Sequence, residues 1–504
     1  MRAAARVIPP TAPARREASL RVCGGCGAVV ESAGFVPRCP NAGDGGDHVL
    51  MRELDESWLP LGLGGDLRYA ERPFLRWRHR LHAWHQAMQA GWSDEAFIAL
   101  VERLDHAVAE VDGRGFRVTP LRPARALAHA LRVRGPLWVK DETHAVGGSH
   151  KARHLFGILL GLEVAGQALA DRPLAIASCG NAALAAAVLA RAAKRRLQVF
   201  IPPDAEAAVV KRLDELGADI VVCRRVDTTP GDPCVTAFRA AVQEGALPFA
   251  CQGPENGMAI EGGETLGWEL VTQLAALEPM PAGGDVADPP RLDRVFVQVG
   301  GGALGAAVGR ALQQATASHA LGRMPRIHAV QTAGAWPLAR AYERLARRLD
   351  AALGHGREGQ APGELELGEA AFAFRNERAG RLALAFGGET VQAELRRAAQ
   401  RRSEFMWPWE QAPNSVAHGI LDDETYDWLA LTRAMLQGGG YPIVVDEPTL
   451  IHANALGVGG TSIAADETGT AGLAGLYALR DAHGLDPTEV MALLFSGVRR
   501  RVAR

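Results

Sequence analysis

The stretch LWVKDETHAVGGSHKAR, Leu137 to Arg153, decides how this chain is read, and Lys151 is its centre. Leu137 to Val139 is a short apolar strand, and Gly147, Gly148 and Ser149 make a polar turn. Lys151 then opens a helical run carrying Leu155, Phe156, Ile158, Leu159 and Leu162. A lysine so placed stands at a helix N-terminus, where free backbone N–H groups and the helix dipole favour an anionic ligand and a neutral amine. Lysine and arginine together number 55, yet only Lys140, Lys151, Lys194 and Lys211 are lysines. Arginine stays protonated, so chemistry that needs a neutral amine has a short candidate list.

Three more motifs follow, each at the end of an apolar strand. Leu174 to Ala177 runs into Ser178-Cys179-Gly180-Asn181 and then an Ala-rich helix. Arg294 to Val299 runs into Gly300-Gly301-Gly302-Ala303-Leu304-Gly305 before a further helix, and glycines there let the backbone approach a phosphate at the helix N-terminus. Leu493-Leu494-Phe495 ends in Ser496-Gly497. The triple-glycine run also fits G-x-G-x-x-G, so a nicotinamide enzyme is a remote alternative. That reading needs a carboxylate at the end of the next strand, whereas Arg326 to Val330 ends in Gln331-Thr332.

In this order the motifs resemble those of the fold-type II pyridoxal-phosphate enzymes, which include threonine synthase, serine and threonine dehydratases and the tryptophan synthase β-chain. Their lysine motif reads Lys-Asp-Glu, then Asn-Pro-Thr-Gly-Ser-Phe-Lys. Lys140-Asp141-Glu142 and Gly148-Ser149-His150-Lys151 match that frame, Ala145, Val146 and Gly147 stand where Asn, Pro and Thr are common, and His150 replaces the aromatic. The resemblance covers roughly residues 119 to 500. It implies pyridoxal 5'-phosphate in Schiff-base linkage to Lys151. Gly300, Gly301 and Gly302, with Ala303 and Leu304, would hold the phosphate, Asn181 the 3-hydroxyl, and Ser496 the pyridine nitrogen. On the substrate side it implies Ser149, Ser178, Cys179 and Gly180, joined by Ser415 and His418 from the Ser-Val-Ala-His-Gly-Ile run. A hydroxyl on that nitrogen suits elimination or replacement at Cβ or Cγ of an amino acid more than transamination. The activity implied is that of a lyase, threonine synthase-like or serine/threonine ammonia-lyase-like, and related enzymes are commonly homodimers.

The fold expected is α/β, with two doubly wound parallel-sheet subdomains over residues 119–500, the smaller at about 160–265. Residues 56–118 read as a helical linker, with Phe97, Leu100, Val101, Leu104 and Val108 on one face. Residues 1–55 hold Cys23-Gly-Gly-Cys26, Cys39 and His48, a ligand set for structural Zn²⁺, with Asp47 as the alternative fourth ligand. The glycines of Glu261-Gly-Gly-Glu264 read as a hinge or turn, Asp422-Asp423-Glu424 as a helix cap, and Pro279 to Pro290 as a surface loop.

A formal charge of −2 gives no reason to expect nucleic acid. No apolar run is long enough to span a bilayer, and the Arg-, Ala- and Pro-rich start lacks the apolar core of a secretory signal. Seven cysteines, an odd number in a large chain, point to a reducing compartment, with the cytoplasm expected. The rival from another class is a non-catalytic pyridoxal-phosphate- or zinc-binding interaction protein, which turns over no amino acid.

Overall fold

The computed structural model describes residues 7–8, 19–30, 34–43, 45–55, 63–225, 232–277, 288–355 and 361–499. Most of the expected loop at Pro279 to Pro290 lies outside these residues. Among the described residues, fourteen strands follow in chain order: β1 (Val7–Ile8), β2 (Ser19–Cys23), β3 (Val29–Val30), β4 (Leu50–Leu54), β5 (Leu121–Pro123), β6 (Leu137–Asp141), β7 (Leu174–Ala177), β8 (Leu197–Ile201), β9 (Asp219–Val222), β10 (Leu247–Pro248), β11 (Arg294–Gln298), β12 (Arg326–Thr332), β13 (Ile443–Val445) and β14 (Met491–Phe495). They form three sheets.

The large sheet has the order β13-β12-β11-β14-β6-β5, parallel throughout except for the edge pair β5–β6. Its middle strands are apolar on both faces because helices cover both, and β11 and β14 are buried at every residue. The smaller sheet, β10-β7-β8-β9, is wholly parallel. These two helix-covered sheets are the α/β architecture expected. A third sheet, β1-β3-β2-β4, is antiparallel and belongs to the N-terminal module.

The linker forms the helices Pro73–Arg76, His82–Gln89 and Asp94–Asp112. The last starts where Ser93 Oγ accepts the Ala96 N–H at 3.2 Å and stops at Gly113, whose φ of 79° ends the helix. It buries Phe97, Leu100, Val101, Leu104 and Val108, the face its spacing predicted.

One expectation is corrected in the helix Met258–Ala275. Gly262, Gly263 and Gly267 are interior helical residues, not a hinge. A Cβ on Gly262 would lie 2.3 Å from Arg153 O, one on Gly263 2.2 Å from His154 Cε1, and one on Gly267 2.4 Å from Ala311 Cβ. Their missing side chains let this helix touch both Lys151–Ala165 and Ala303–Ala317, the helices that follow the lysine turn and the triple-glycine turn. The N-terminal module is joined to the same helix by a buried ion cluster: Arg52 pairs with Glu261 at 3.2 Å and with Glu264, and Arg310 pairs with Glu264 at 3.0 Å. Glu264 is thus structural.

Candidate active site

Register places the motifs together. Arg294, Met491 and Leu137 are aligned partners across β11, β14 and β6, so the carboxyl ends of three neighbouring parallel strands lie level. Gly300 follows the first, Ser496 the second, and the turn to Lys151 the third. Ligands of parallel α/β sheets bind in this kind of crevice.

Lys151 is the first residue of its helix and half-buried. The other lysines are otherwise engaged. Lys140 is fully buried, and its Nζ donates to Glu269 at 2.6 Å, to Thr119 O at 2.7 Å and to Gln273 Oε1 at 2.9 Å. Arg153 joins this cluster through Glu269 at 2.6 Å and Glu142 at 2.8 Å, so the Lys-Asp-Glu motif anchors β6 to the helix Met258–Ala275. Lys194 and Lys211 are exposed in the smaller subdomain.

Ser496 Oγ accepts the backbone N–H of His150 at 3.1 Å and lies 2.5 Å from His150 Nδ1. Burial, reinforced by the neighbouring Lys151 side chain, pushes His150 well below the usual imidazole range, so the ring is neutral at physiological pH. Gly497 follows with a φ of 109°, and a Cβ there would come within 3.4 Å of Asn181 Nδ2. Asn181 begins the helix after β7, whose turn also holds Ser178, exposed Cys179 and Gly180. The turns that precede Lys151 and Asn181 therefore both border the turn at Ser496 and Gly497. Ser149 is buried between the turn and the helix, its hydroxyl accepting the Lys151 N–H at 3.4 Å.

At the triple-glycine turn, Gly302 adopts φ 96°. Thr425 Oγ1 donates to Gly300 O at 2.8 Å, and the Asp427 N–H donates to Gly301 O at 3.0 Å. A Cβ on Gly300 would lie 2.2 Å from Asp422 Oδ2, and one on Gly301 3.4 Å from Asp422 Oδ1. The reading of Asp422 to Glu424 as a cap is corrected: the next helix, Trp428–Gly438, begins after Asp427, and Asp422 packs on the glycine turn instead. Burial raises its pKa, opposed by Lys151. Asp427, buried and accepting the Gly253 N–H at 3.1 Å, is pushed up to about 8, chiefly by burial. Ser415 and His418 lie earlier on this loop. Ser415 is buried, accepting the Ala417 N–H at 3.1 Å, and His418 is exposed. Thr425 and Asp427 escaped the sequence reading because their partners are more than 120 residues away, with no local spacing to mark them.

A family model described as pyridoxal-phosphate dependent enzyme matches residues 114–403. The chain belongs to that family. The matched span of this pyridoxal-phosphate dependent enzyme contains Lys151, Ser178 to Asn181 and Gly300 to Gly302, while Asp422 and Ser496 lie beyond it. Among solved structures the fold is similar to threonine deaminase isoform 2 of Solanum lycopersicum: TM-score 0.51, 18% identity, 81% of this chain and 91% of that one. It is also similar to maize serine racemase, with TM-score 0.53, 16% identity and coverage of 80% and 95%. The diaminopropionate ammonia lyase of Escherichia coli gives TM-score 0.50, 15% identity and coverage of 80% and 88%. A search of curated protein sequences finds no match.

The residues fit the family's cofactor. The site has one uncommitted amine, at Lys151, and a backbone turn without Cβ atoms, where a Cβ on Gly300 or Gly302 would close the space to 2.2 Å from Asp422 Oδ2 or 2.8 Å from Thr425 Cγ2. Such a turn suits a phosphate.

In the N-terminal module, ligand atoms of Cys23, Cys26, Cys39 and His48 all lie within 4.8 Å of one another. Cys26 Sγ and Cys39 Sγ are 3.7 Å apart, and Cys23 Sγ and His48 Nδ1 are 3.5 Å apart. A tetrahedral zinc, with bonds of about 2.3 Å to sulfur and about 2.0 Å to nitrogen, sets these edges at roughly 3.8 and 3.6 Å. The four predicted ligands fit such an ion. Asp47 has another partner: its Oδ1 accepts the Trp428 indole N–H at 3.1 Å. Among the described residues no helix is long and apolar enough to cross a membrane.

Proposed function

We propose that the chain is a pyridoxal-phosphate-dependent lyase acting on an amino acid by elimination or replacement at Cβ or Cγ, with Lys151 as its catalytic amine. The observation that carries this is the position of Lys151: Lys140 is committed to Glu269 within β6 and Lys194 and Lys211 are exposed, whereas Lys151 follows His150, whose backbone N–H donates to Ser496 beyond the end of β14.

Bound pyridoxal phosphate supplies the electron sink that makes an amino acid's Cα proton removable. Lys151 would take that proton as a free amine. Ser178 and Asn181, with the backbone of Cys179 and Gly180, orient substrate and ring. Gly300 to Gly302, Ala303 and Leu304 hold the phosphate. Ser496 meets the ring nitrogen, with His150 fixing its hydroxyl. Ser149, Ser415 and His418 complete the substrate side.

Ammonia release from a hydroxy amino acid is the preferred reaction, in keeping with the deaminase and ammonia lyase among the fold's relatives. The second reading, threonine synthase-like replacement, draws on the cysteine module and the Ser415-to-Ile420 run. We further propose that Cys23, Cys26, Cys39 and His48 hold structural zinc. Thiolate ligands must stay reduced, which suits the cytoplasm. Purified protein given serine, threonine and O-phosphohomoserine separates the readings: 2-oxoacid with ammonia from the first two supports the lyase, phosphate from the third the synthase. No turnover of any of them, with cofactor absorbance unchanged in Lys151→Ala, overturns both.

A further inference from the structure

Two features described apart are joined by a short path. Asp47 adjoins the ligand His48. Its backbone N–H donates to Ala399 O at 2.7 Å, and its Oδ1 accepts the Trp428 indole N–H at 3.1 Å and meets Arg402 Nε at 3.3 Å. The Cys23–Cys26 knuckle presses directly on this residue, since a Cβ on Gly25 would lie 2.1 Å from Asp47 O. Trp428 is fully buried. Immediately before it, Asp427 and Thr425 hold the carbonyls of Gly301 and Gly300 at 3.0 and 2.8 Å. The segment that shapes the glycine turn is therefore tied, at its Trp428 end, to the residue beside a metal ligand.

We propose that metal in the Cys23, Cys26, Cys39 and His48 site controls the affinity of the glycine turn for phosphate, acting through Asp47 and Trp428 as positioning residues. This rests on the readings of zinc and cofactor given above. The module's own core is too small to fix the knuckle: its buried apolar cluster is Cys23, Ala28, Val30, Cys39 and Leu50, two of them ligands. With the ligands unbound, residues 47 to 50 keep only the Ala399 and Arg402 contacts of Asp47 and the β2–β4 pairing at Leu50, and the knuckle that presses on Asp47 is no longer fixed. A buried indole N–H without a fixed acceptor is costly, so the segment from Thr425 to Trp428 shifts and the two glycine carbonyls lose their donors together.

The test uses the full-length protein. Zinc is assayed before and after treatment with a chelator and after adding zinc back, and each form is titrated with pyridoxal phosphate and, separately, with pyridoxal, which lacks the phosphate. The expected result is one zinc per chain. Its removal weakens pyridoxal phosphate at least tenfold, reversibly, and leaves pyridoxal within twofold. Trp428→Phe should keep its zinc, bind pyridoxal phosphate as weakly as the stripped wild type, and no longer respond to chelation. Equal pyridoxal phosphate affinity with and without zinc overturns the proposal, as does equal weakening of pyridoxal, which would mark general loosening. A Trp428→Phe protein that responds to chelation as wild type does also overturns it. The metal assay reports separately on the zinc reading, and the Lys151→Ala spectrum on the catalytic one. If Trp428→Phe does not fold, the chelation series on the wild type decides alone.

Discussion

His150 Nδ1 lies 2.5 Å from Ser496 Oγ, joining the residue before Lys151 to the end of β14 across the floor of the site. His150 is held well below its ordinary pKa, first by burial. Between the unfolded value near 6.5 and this depressed one, acid protonates the unfolded chain but not the folded one, so stability falls as pH drops below about 6.5. His150→Phe removes both the bond and this term. It should be less stable than wild type at pH 8 by the roughly 1–3 kcal/mol of a lost buried hydrogen bond, with a lower melting temperature, and the gap should narrow at pH 5. Melting curves at the two pH values check this.

Lys140 and Lys151 should fail in opposite ways. Lys140→Met strips Glu269 of a buried partner and should cost roughly 3–5 kcal/mol of stability. Lys151→Ala should fold normally and lose the yellow absorbance of lysine-bound cofactor. Chemical denaturation and a spectrum of each variant separate the two.

Asp422 shares the glycine turn with whatever anion binds there. Removing its charge in Asp422→Asn should tighten pyridoxal phosphate about tenfold, roughly 1.4 kcal/mol, because like charges repel strongly in a partly buried site. The same change should leave pyridoxal unaffected. Parallel titrations with both compounds measure it.

Asp427, pushed up to about 8 by burial, has the opposite sign to His150. From about pH 4 upward the unfolded carboxyl ionises while the folded one keeps its proton, so the folded state loses stability until pH passes about 8 and then levels off. Asp427→Asn keeps an acceptor for the Gly253 N–H and removes the titration. The melting temperature of the variant relative to wild type should rise steadily between pH 5 and 8 and be flat above about 9.

Much of this site was legible in the sequence because each motif is local. The Ser178 turn, the triple glycine and Ser496 each follow an apolar strand within two residues, and Lys151 follows β6 by ten, at the start of the next helix. The Cys23–Cys26 pair was marked by its two-residue spacing, and the fold brings Cys39 and His48 to it from further along the chain. The illegible part is what long-range packing decides. Gly262 and Gly263 looked like a hinge because glycine is usually read as a backbone device, whereas here its value is the absent Cβ between two helices. Asp422 looked like a cap because nothing local reveals that its loop returns to Gly300. Lys140 could be set aside only once Glu269 was seen beside it, 129 residues along the chain.

The order of the large sheet has a consequence for biosynthesis. β14, flanked by β11 and β6, is translated after both of them. Until it slots in, its two neighbours lack the strand that bridges them, and Lys151 has no Ser496 beside the preceding histidine. The nascent chain should therefore be unable to capture its cofactor while β14 is still on the ribosome, so loading is expected only once that strand has emerged.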